Sequence, residues 1–147
     1  MIQRIQTVYL LLAELLTVLL YAFDFAELSA NGELMVFNAS GIFSGEKVVI
    51  DGLPIFLFIG LIVFLHLIII LLYKKRILQI RITVFTIILL FGLLGVMFYF
   101  IYFAFKDASV VYKIPMVFPL IAVILDYLAL RNIGKDEALI RSMDRIR

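Results

Sequence analysis

Cysteine and tryptophan are absent from this chain, and histidine occurs once, at position 66. Without cysteine there is no disulfide, no thiolate metal ligand and no thiol nucleophile. A single histidine excludes a multi-histidine metal site within one chain. The sequence also contains no nucleophile motif, metal-ligand cluster or phosphate-binding loop. We therefore predict that the protein is not an enzyme and that it holds no metal or other cofactor.

Charge is also scarce. Charged residues make up 16% of the chain, 65% of it is hydrophobic, and the mean hydropathy is +1.18. A soluble domain carries about 25% charged residues, so a chain this apolar could not cover itself with polar surface in water. Its predicted solvent is lipid. The net charge of +2 does not indicate a nucleic-acid partner, because the charges are sorted by side of the membrane rather than pooled on one face.

Four apolar runs are long enough to cross a hydrocarbon core, which takes about 20 helical residues. They cover residues 8–25, 54–73, 82–105 and 114–130. We predict an all-α polytopic membrane protein, with residues 1–147 forming one domain of four transmembrane helices in two hairpins. The segments between and after the helices are an outer loop at 26–53, a bridge at 74–81, a second outer loop at 106–113 and a tail at 131–147.

Two of these segments carry patterns of their own. In the first outer loop, residues 34–37 and 47–50 have strand composition and glycines lie around them as turn residues, which favours a small β-hairpin. In the tail, apolar residues recur at helical spacing, which predicts a C-terminal amphipathic helix on the membrane surface or on a partner. The residues predicted to face inward are Leu139, Ile140, Met143 and Ile146.

The bridge at 74–81 sets the predicted orientation, because it holds four cations in eight residues between two apolar runs. Ten of the thirteen lysines and arginines lie in the N-terminal segment, the bridge or the tail, and three lie on the other side. The positive-inside rule then places both termini in the cytoplasm. We expect the following cytoplasmic cations to face lipid or a partner: Lys74, Lys75, Arg76, Arg81, Arg141 and Arg145.

Three ionisable side chains lie deep inside the apolar runs, away from their ends, and they are the candidate site: Glu14, His66 and Asp126. At 1.5 Å per residue, Glu14 and His66 lie about 12 Å, and Asp126 about 7 Å, from the cytoplasmic ends of their helices. Such residues normally face protein or water. They could form a proton or cation site with His66 as the relay, a hydrogen-bonded layer that holds helix register, or contacts to a partner's helices. Asp126 could instead pair with Arg81 or Arg4.

The opening MIQRIQTVYLLLA, the bridge KKRILQIR and the closing KDEALIRSMDRIR resemble a family of small four-helix inner-membrane proteins from one phylum of Gram-negative bacteria. That family is catalogued only as a domain of unknown function. The resemblance covers the whole chain, and its two termini are the specific part. It implies a multi-pass protein of the bacterial inner membrane, and it supplies no catalytic or binding residues.

For function we expect a non-enzymatic accessory or structural subunit of a larger inner-membrane complex. Four helices, one sizeable outer loop and a basic tail leave little room for an enclosed substrate path in one protomer. A small proton- or ion-coupled carrier that acts as an oligomer is the alternative. The expected partners are membrane lipids, other integral membrane proteins and, at the C-terminal tail, a cytosolic protein.

Overall fold

Four α-helices and one β-sheet build the protein. The computed structural model describes residues 5–30, 32–104 and 108–144, with the backbone alone at 104, 141, 143 and 144. The helices are α1 (Ile5–Leu19), α2 (Leu53–Leu71), α3 (Arg76–Ala104) and α4 (Phe118–Asp144), and a 3₁₀ turn at Ile114–Val117 precedes α4. Three helical segments are long and apolar enough to cross a membrane, at Leu53–Leu71, Arg76–Phe103 and Ile114–Ile140, and Ile5–Leu19 is a shorter apolar helix.

The sheet has five antiparallel strands. They are β1 (Ala26–Ala30), β2 (Glu33–Asn38), β3 (Gly41–Ser44), β4 (Lys47–Asp51) and β5 (Ser109–Tyr112). The strand order is β4-β3-β2-β1-β5. The first four strands form a meander joined by short turns, whereas β5 comes from the α3–α4 connection and pairs with β1, Ala26 opposite Tyr112.

The prediction of an all-α fold is therefore wrong: the protein is mixed, with helices and a five-stranded sheet. The first outer loop contributes four strands rather than one hairpin. The second outer loop, predicted as a turn, contributes β5. Its sequence SVVY has β-branched and aromatic residues, but four residues have no stable strand structure without a neighbour, and that neighbour lies about 80 positions earlier in the chain.

One face of the sheet packs on the end of the helical bundle. Alternate residues of the first two strands point inward and are buried, among them Leu28 and Phe37, both 0% exposed. Phe37 meets Phe25 edge-on at 5.2 Å between ring centroids and stacks on Phe100 of α3 at 6.2 Å. Sheet and helices therefore share one hydrophobic core, because the inward face of the sheet is apolar at every second position.

The backbone of the β2–β3 turn lies directly against the start of α2. Gly41 has φ +133° and Gly52 precedes α2. A Cβ on Gly41 would overlap the carbonyl oxygen of Ile50, and one on Gly52 would overlap the backbone nitrogen of Gly41. The amide of Gly52 donates to the carbonyl of Ser40 at 2.9 Å. This contact needs glycine on both sides, and it holds the end of the sheet at the first turn of α2.

The helix boundaries at the opposite end also differ from the prediction. Most of the predicted bridge at 74–81 is helical, because α3 begins at Arg76. The tail is not a separate surface helix, because α4 continues through Gly134 to Asp144. Buried Ile133 and a hydrogen bond from the Arg76 guanidinium to the Asp136 carbonyl (3.2 Å) hold the extension against the start of α3.

The predicted inward face of the tail is wrong at Leu139, which is 63% exposed, and Ile140 is 37% exposed. Because α4 continues straight past the start of α3, this part of the helix has little of the bundle left to pack against. The side chain of Met143 and all of Ile146 lie outside the described residues. Arg4, in the N-terminal segment that was predicted to be cytoplasmic, also lies outside them.

Candidate functional site

The structure brings the three ionisable residues of the apolar runs into one cluster between α1, α2 and α4. His66 is 0% exposed, and its Nε2 lies 3.1 Å from both carboxylate oxygens of Asp126, which is also 0% exposed. On the other edge of the ring, Nδ1 lies 3.6 Å from Oε2 of Glu14, whose side chain is 13% exposed. The imidazole therefore lies between two carboxylates.

Helix geometry explains this meeting. α1 and α4 pack against each other, and α2 packs beside α1, so one residue from each helix can point to a common level. At that level α1 contributes Ala13, 0% exposed, whose small side chain lets the neighbouring helices approach closely.

Hydrogen-bond chemistry constrains the protons of the cluster. A lone pair on Nε2 facing two carboxylate oxygens would be repulsive, so Nε2–H donates to Asp126 and this contact sets the tautomer. A hydrogen bond on the other edge then requires a second proton, carried by either Nδ1 or Glu14. Both Nδ1 and Oε2 of Glu14 are buried without a hydrogen-bond partner among the described residues. At 3.6 Å these two atoms are in contact but not hydrogen-bonded, and a proton on either of them would allow a hydrogen bond if they moved closer.

The cluster does not have the geometry of a metal site. Its two carboxylates approach opposite edges of one imidazole ring, so they cannot share a single ion. Within residues 5–30, 32–104 and 108–144, no group of three or more His, Cys, Asp or Glu side chains is placed to hold a metal ion.

The alternative pairing of Asp126 with an arginine does not match the structure. Asp126 faces His66, and Arg81 is exposed. Arg4, the other candidate, lies outside the described residues. A buried aspartate takes the nearest buried donor because a guanidinium would have to leave water to reach it.

Further buried polar residues surround the cluster, and two of them were not predicted as part of the site. Gln6 of α1 and Gln79 of α3 are each 2% exposed, and the Oε1 atom of each has no hydrogen-bond partner among the described residues. Gln79 also donates to the Ile69 carbonyl at 3.0 Å. The i, i+4, i+7 spacing of Gln79, Thr83 and Thr86 could have revealed this stripe, but Gln79 was assigned to the bridge.

All the fully buried polar side chains described lie in one half of the bundle, which we name the inner half: Gln6, Thr17, His66, Gln79, Thr83, Thr86 and Asp126. The outer half lies between them and the sheet. About one turn nearer the sheet, a buried residue on each of α2, α3 and α4 is apolar and 0% exposed (Ile62, Leu90 and Ala122), and so is Leu20, directly after the end of α1. Among the described residues, the buried side chains on the sheet side of Thr17, His66, Thr86 and Asp126 are therefore apolar.

Four of the cations predicted to face lipid or a partner lie at the inner end of the bundle, which is the end opposite the sheet. Lys74, Lys75, Arg76 and Arg81 line one surface cleft between the bridge, the start of α3 and α4. The side chain of Arg141 and all of Arg145 lie outside the described residues. The cleft is separate from the buried cluster.

The fold and the site together define a polytopic membrane protein with a polar cluster buried in one half of its bundle. The chain belongs to the family described as Domain of unknown function (DUF4293), whose model matches residues 2–146. No curated protein and no solved structure matches the chain.

Proposed function

We propose that the protein is a non-enzymatic accessory or structural subunit of a larger protein complex in the bacterial inner membrane. One observation carries the proposal: the buried polar side chains stop at Thr17 and Thr86, and the apolar outer half and the sheet close the bundle beyond them. A path for a polar substrate would need polar groups in both halves. A closed bundle serves better as a membrane-embedded support for other subunits.

The inner end offers a surface for such a subunit. The hydrogen bond from Arg76 to the Asp136 carbonyl sets α4 beside the start of α3. Eight further residues of α4 follow to Asp144, which is about 12 Å of helix. Leu139 on this extension is 63% exposed. An exposed leucine among charged residues is the kind of side chain that binds in a partner's apolar pocket.

Purification of the tagged full chain in a mild detergent tests the proposal. We expect one foreign membrane or cytosolic protein in stoichiometric amount, and we expect Leu139→Asp to release it. Leu34→Asp is the matched control, because Leu34 is 72% exposed on the sheet, at the other end of the molecule. Recovery of the chain alone, as a monomer or homo-oligomer, would count against a subunit role.

The proposed orientation has both termini in the cytoplasm and the sheet on the periplasmic side. Because the chain has no cysteine, single cysteines can report it. In spheroplasts, an impermeant thiol reagent should label Ser109→Cys and leave Lys75→Cys unlabelled. Gln79 is not a useful reporter, since it is buried. The reverse labelling pattern would invert the proposed topology.

A small proton- or ion-coupled carrier acting as an oligomer is the second candidate. The observation that favours it is the Glu14–His66–Asp126 cluster, where His66 lies between two carboxylates. The two candidates differ in their response to Glu14→Gln. A structural cluster keeps its hydrogen bonding and the complex stays assembled and active, whereas Glu14→Leu weakens assembly. A carrier with Glu14→Gln still assembles but loses pH-dependent flux in reconstituted vesicles.

A further inference from the structure

A cleft at the inner end of the bundle combines cations with apolar side chains. Its volume is about 600 Å³, and it lies between the bridge, the first two turns of α3 and the α4 extension. Lys74, Lys75, Arg76 and Arg81 supply four positive charges, and Glu137 supplies one carboxylate. The positive charge therefore exceeds the negative charge among the lining residues. These side chains line one open cleft at the surface.

The cations of the cleft are available to a ligand. Neither Lys75 nor Arg81 forms an ion pair with another side chain that the structure describes. Arg76 donates a hydrogen bond to the Asp136 carbonyl. Because this acceptor is neutral, the positive charge of the guanidinium is not compensated by it. α3 begins at Arg76 with no acidic residue in its first turn, so the positive end of the helix dipole adds to the field. This field favours an anion.

Apolar residues line the same space. Ile77 and Leu78 of α3 and Ile140 of α4 are part of the wall, with 47%, 41% and 37% of their surfaces exposed. The cleft also lies where α2 ends and α3 begins, the level at which a bilayer changes from hydrocarbon to headgroups. A free small anion would use the cations alone. A ligand with a phosphate and hydrocarbon attached to it would use both sets of side chains.

We propose that this cleft binds the phosphate headgroup of an anionic phospholipid from the leaflet at the end of the bundle opposite the sheet. The cations contact the phosphate, and the glycerol and upper acyl chain lie along Ile77, Leu78 and Ile140. Basic pockets between transmembrane helices bind anionic headgroups in this way. The site is separate from the partner surface at Leu139, so it does not depend on the proposed function.

The absence of tryptophan allows a test with a single fluorescent reporter. Ile77→Trp places it in the cleft, and Leu71→Trp places it on α2, where the side chain is 75% exposed and outside the cleft lining. The full chain is reconstituted in bilayers that contain a bromine-labelled phospholipid, either phosphatidylglycerol or phosphatidylcholine at the same mole fraction. We expect the anionic lipid to quench Ile77→Trp several-fold more strongly, and Leu71→Trp to respond nearly equally to both.

Charge variants distinguish lipid binding in the cleft from a general attraction of anionic lipid to the basic surface of the protein. With Lys75→Gln and Arg81→Gln together, the several-fold preference for anionic lipid at Ile77→Trp should be lost, since each cation near an anionic surface contributes about a fivefold factor. Arg131→Gln with Lys135→Gln removes two exposed cations of α4 that do not line the cleft, and it should leave the preference unchanged. Equal loss in both pairs would overturn the proposal.

Three further outcomes would also overturn it. Equal quenching of Ile77→Trp by the two lipids would show that the cleft does not select an anionic headgroup. Displacement of the bromine-labelled lipid by inorganic phosphate at constant ionic strength would assign the cleft to free phosphate. Displacement by an acidic peptide but not by unlabelled phosphatidylglycerol would assign it to a protein partner. Displacement by unlabelled phosphatidylglycerol alone is the expected result.

Discussion

The inner and outer halves of the bundle use different chemistry to pack the same four helices. In the inner half, His66 contacts two carboxylates, and glutamine and threonine side chains are buried around them. In the outer half the helices and the sheet share an apolar core that includes Phe37, Leu93 and Ile59. Polar contacts require a partner at a particular atom, whereas apolar packing tolerates small rearrangements. The inner half should therefore determine helix register, and the outer half should contribute most of the buried apolar area.

Removal of His66 should have the largest effect. His66→Leu leaves the buried Asp126 carboxylate without its donor and Glu14 without its neighbouring imidazole, and we expect the free energy of unfolding to fall by about 3 to 5 kcal/mol, as when one partner of a buried pair is lost. Titration with a denaturing detergent in mixed micelles, followed by circular dichroism, gives the value. Ile62→Val, one turn nearer the sheet, is the matched control in the outer half and should cost about 1 kcal/mol.

A rescue experiment sharpens the same comparison. The triple variant Glu14→Leu, His66→Leu, Asp126→Leu removes every charge of the cluster, and it should recover most of the stability lost by His66→Leu alone. If the triple variant were as unstable as the single one, the cost would come from lost packing volume rather than from unpaired carboxylates. The distinction between the two halves would then no longer hold.

Disruption of the contact between the sheet and the start of α2, at the outer end of the bundle, should give the next largest loss of stability. Gly41→Ala forces a Cβ against the backbone at Ile50 at a φ of +133°, and we expect a loss of about 2 to 3 kcal/mol by thermal unfolding. Gly45→Ala is the control, because Gly45 also has a positive φ (+60°) but open space around it. It should cost about 1 kcal/mol. Equal losses would show that backbone strain, not the close approach, requires glycine at position 41.

The ion pairs of Lys113 should give the smallest effect, and they lie outside the bundle. Its Nζ contacts Glu27 at 2.8 Å and Asp24 at 3.3 Å, tying the end of β5 to the segment around the start of β1. The hydrogen bond to Glu27, and then the one to Asp24, raise the pKa of Lys113 above 10.5 despite the opposing effect of desolvation.

Because the pKa is higher in the folded state, these pairs stabilise the protein fully below pH 10.5 and lose their effect as pH rises through the raised value. We expect Lys113→Met to lower the melting temperature slightly near neutral pH, and the difference from the unchanged chain to close in strongly alkaline buffer. Lys47→Met is the control, because Lys47 forms no ion pair with another described side chain. A difference independent of pH would exclude the charge as its origin.

Parts of this architecture could be predicted from local patterns and parts could not. The apolar runs identify membrane-crossing helices because about 20 apolar residues in a row have few other uses. Strand β5 escaped prediction because Ser109–Tyr112 is short, and its strand structure depends on a partner, β1, that only the folded chain supplies. The start of α3 was misplaced for a different reason: cations at a membrane surface are as compatible with a helix end as with a loop.

The candidate site shows the same division. Glu14, His66 and Asp126 stand out in the sequence because ionisable residues in an apolar run are costly and rare. Their order in space, with His66 between the two carboxylates, depends on how α1, α2 and α4 pack. The spacing of Gln79, Thr83 and Thr86 indicates that they share one helix face, but the burial of Gln79 depends on a contact with Ile69 across the α2–α3 connection.

The sequence by itself determined that this protein resides in a membrane, which runs of residues are apolar enough to cross it and which residues in those runs are ionisable, because hydrophobicity and charge are properties of single residues and short runs. The tertiary structure alone decided that a five-stranded sheet covers one end of the bundle, that His66 lies between Glu14 and Asp126, and that the cations of the bridge line a cleft with α4. These features arise from contacts between residues distant in the chain, and such contacts leave no local periodicity.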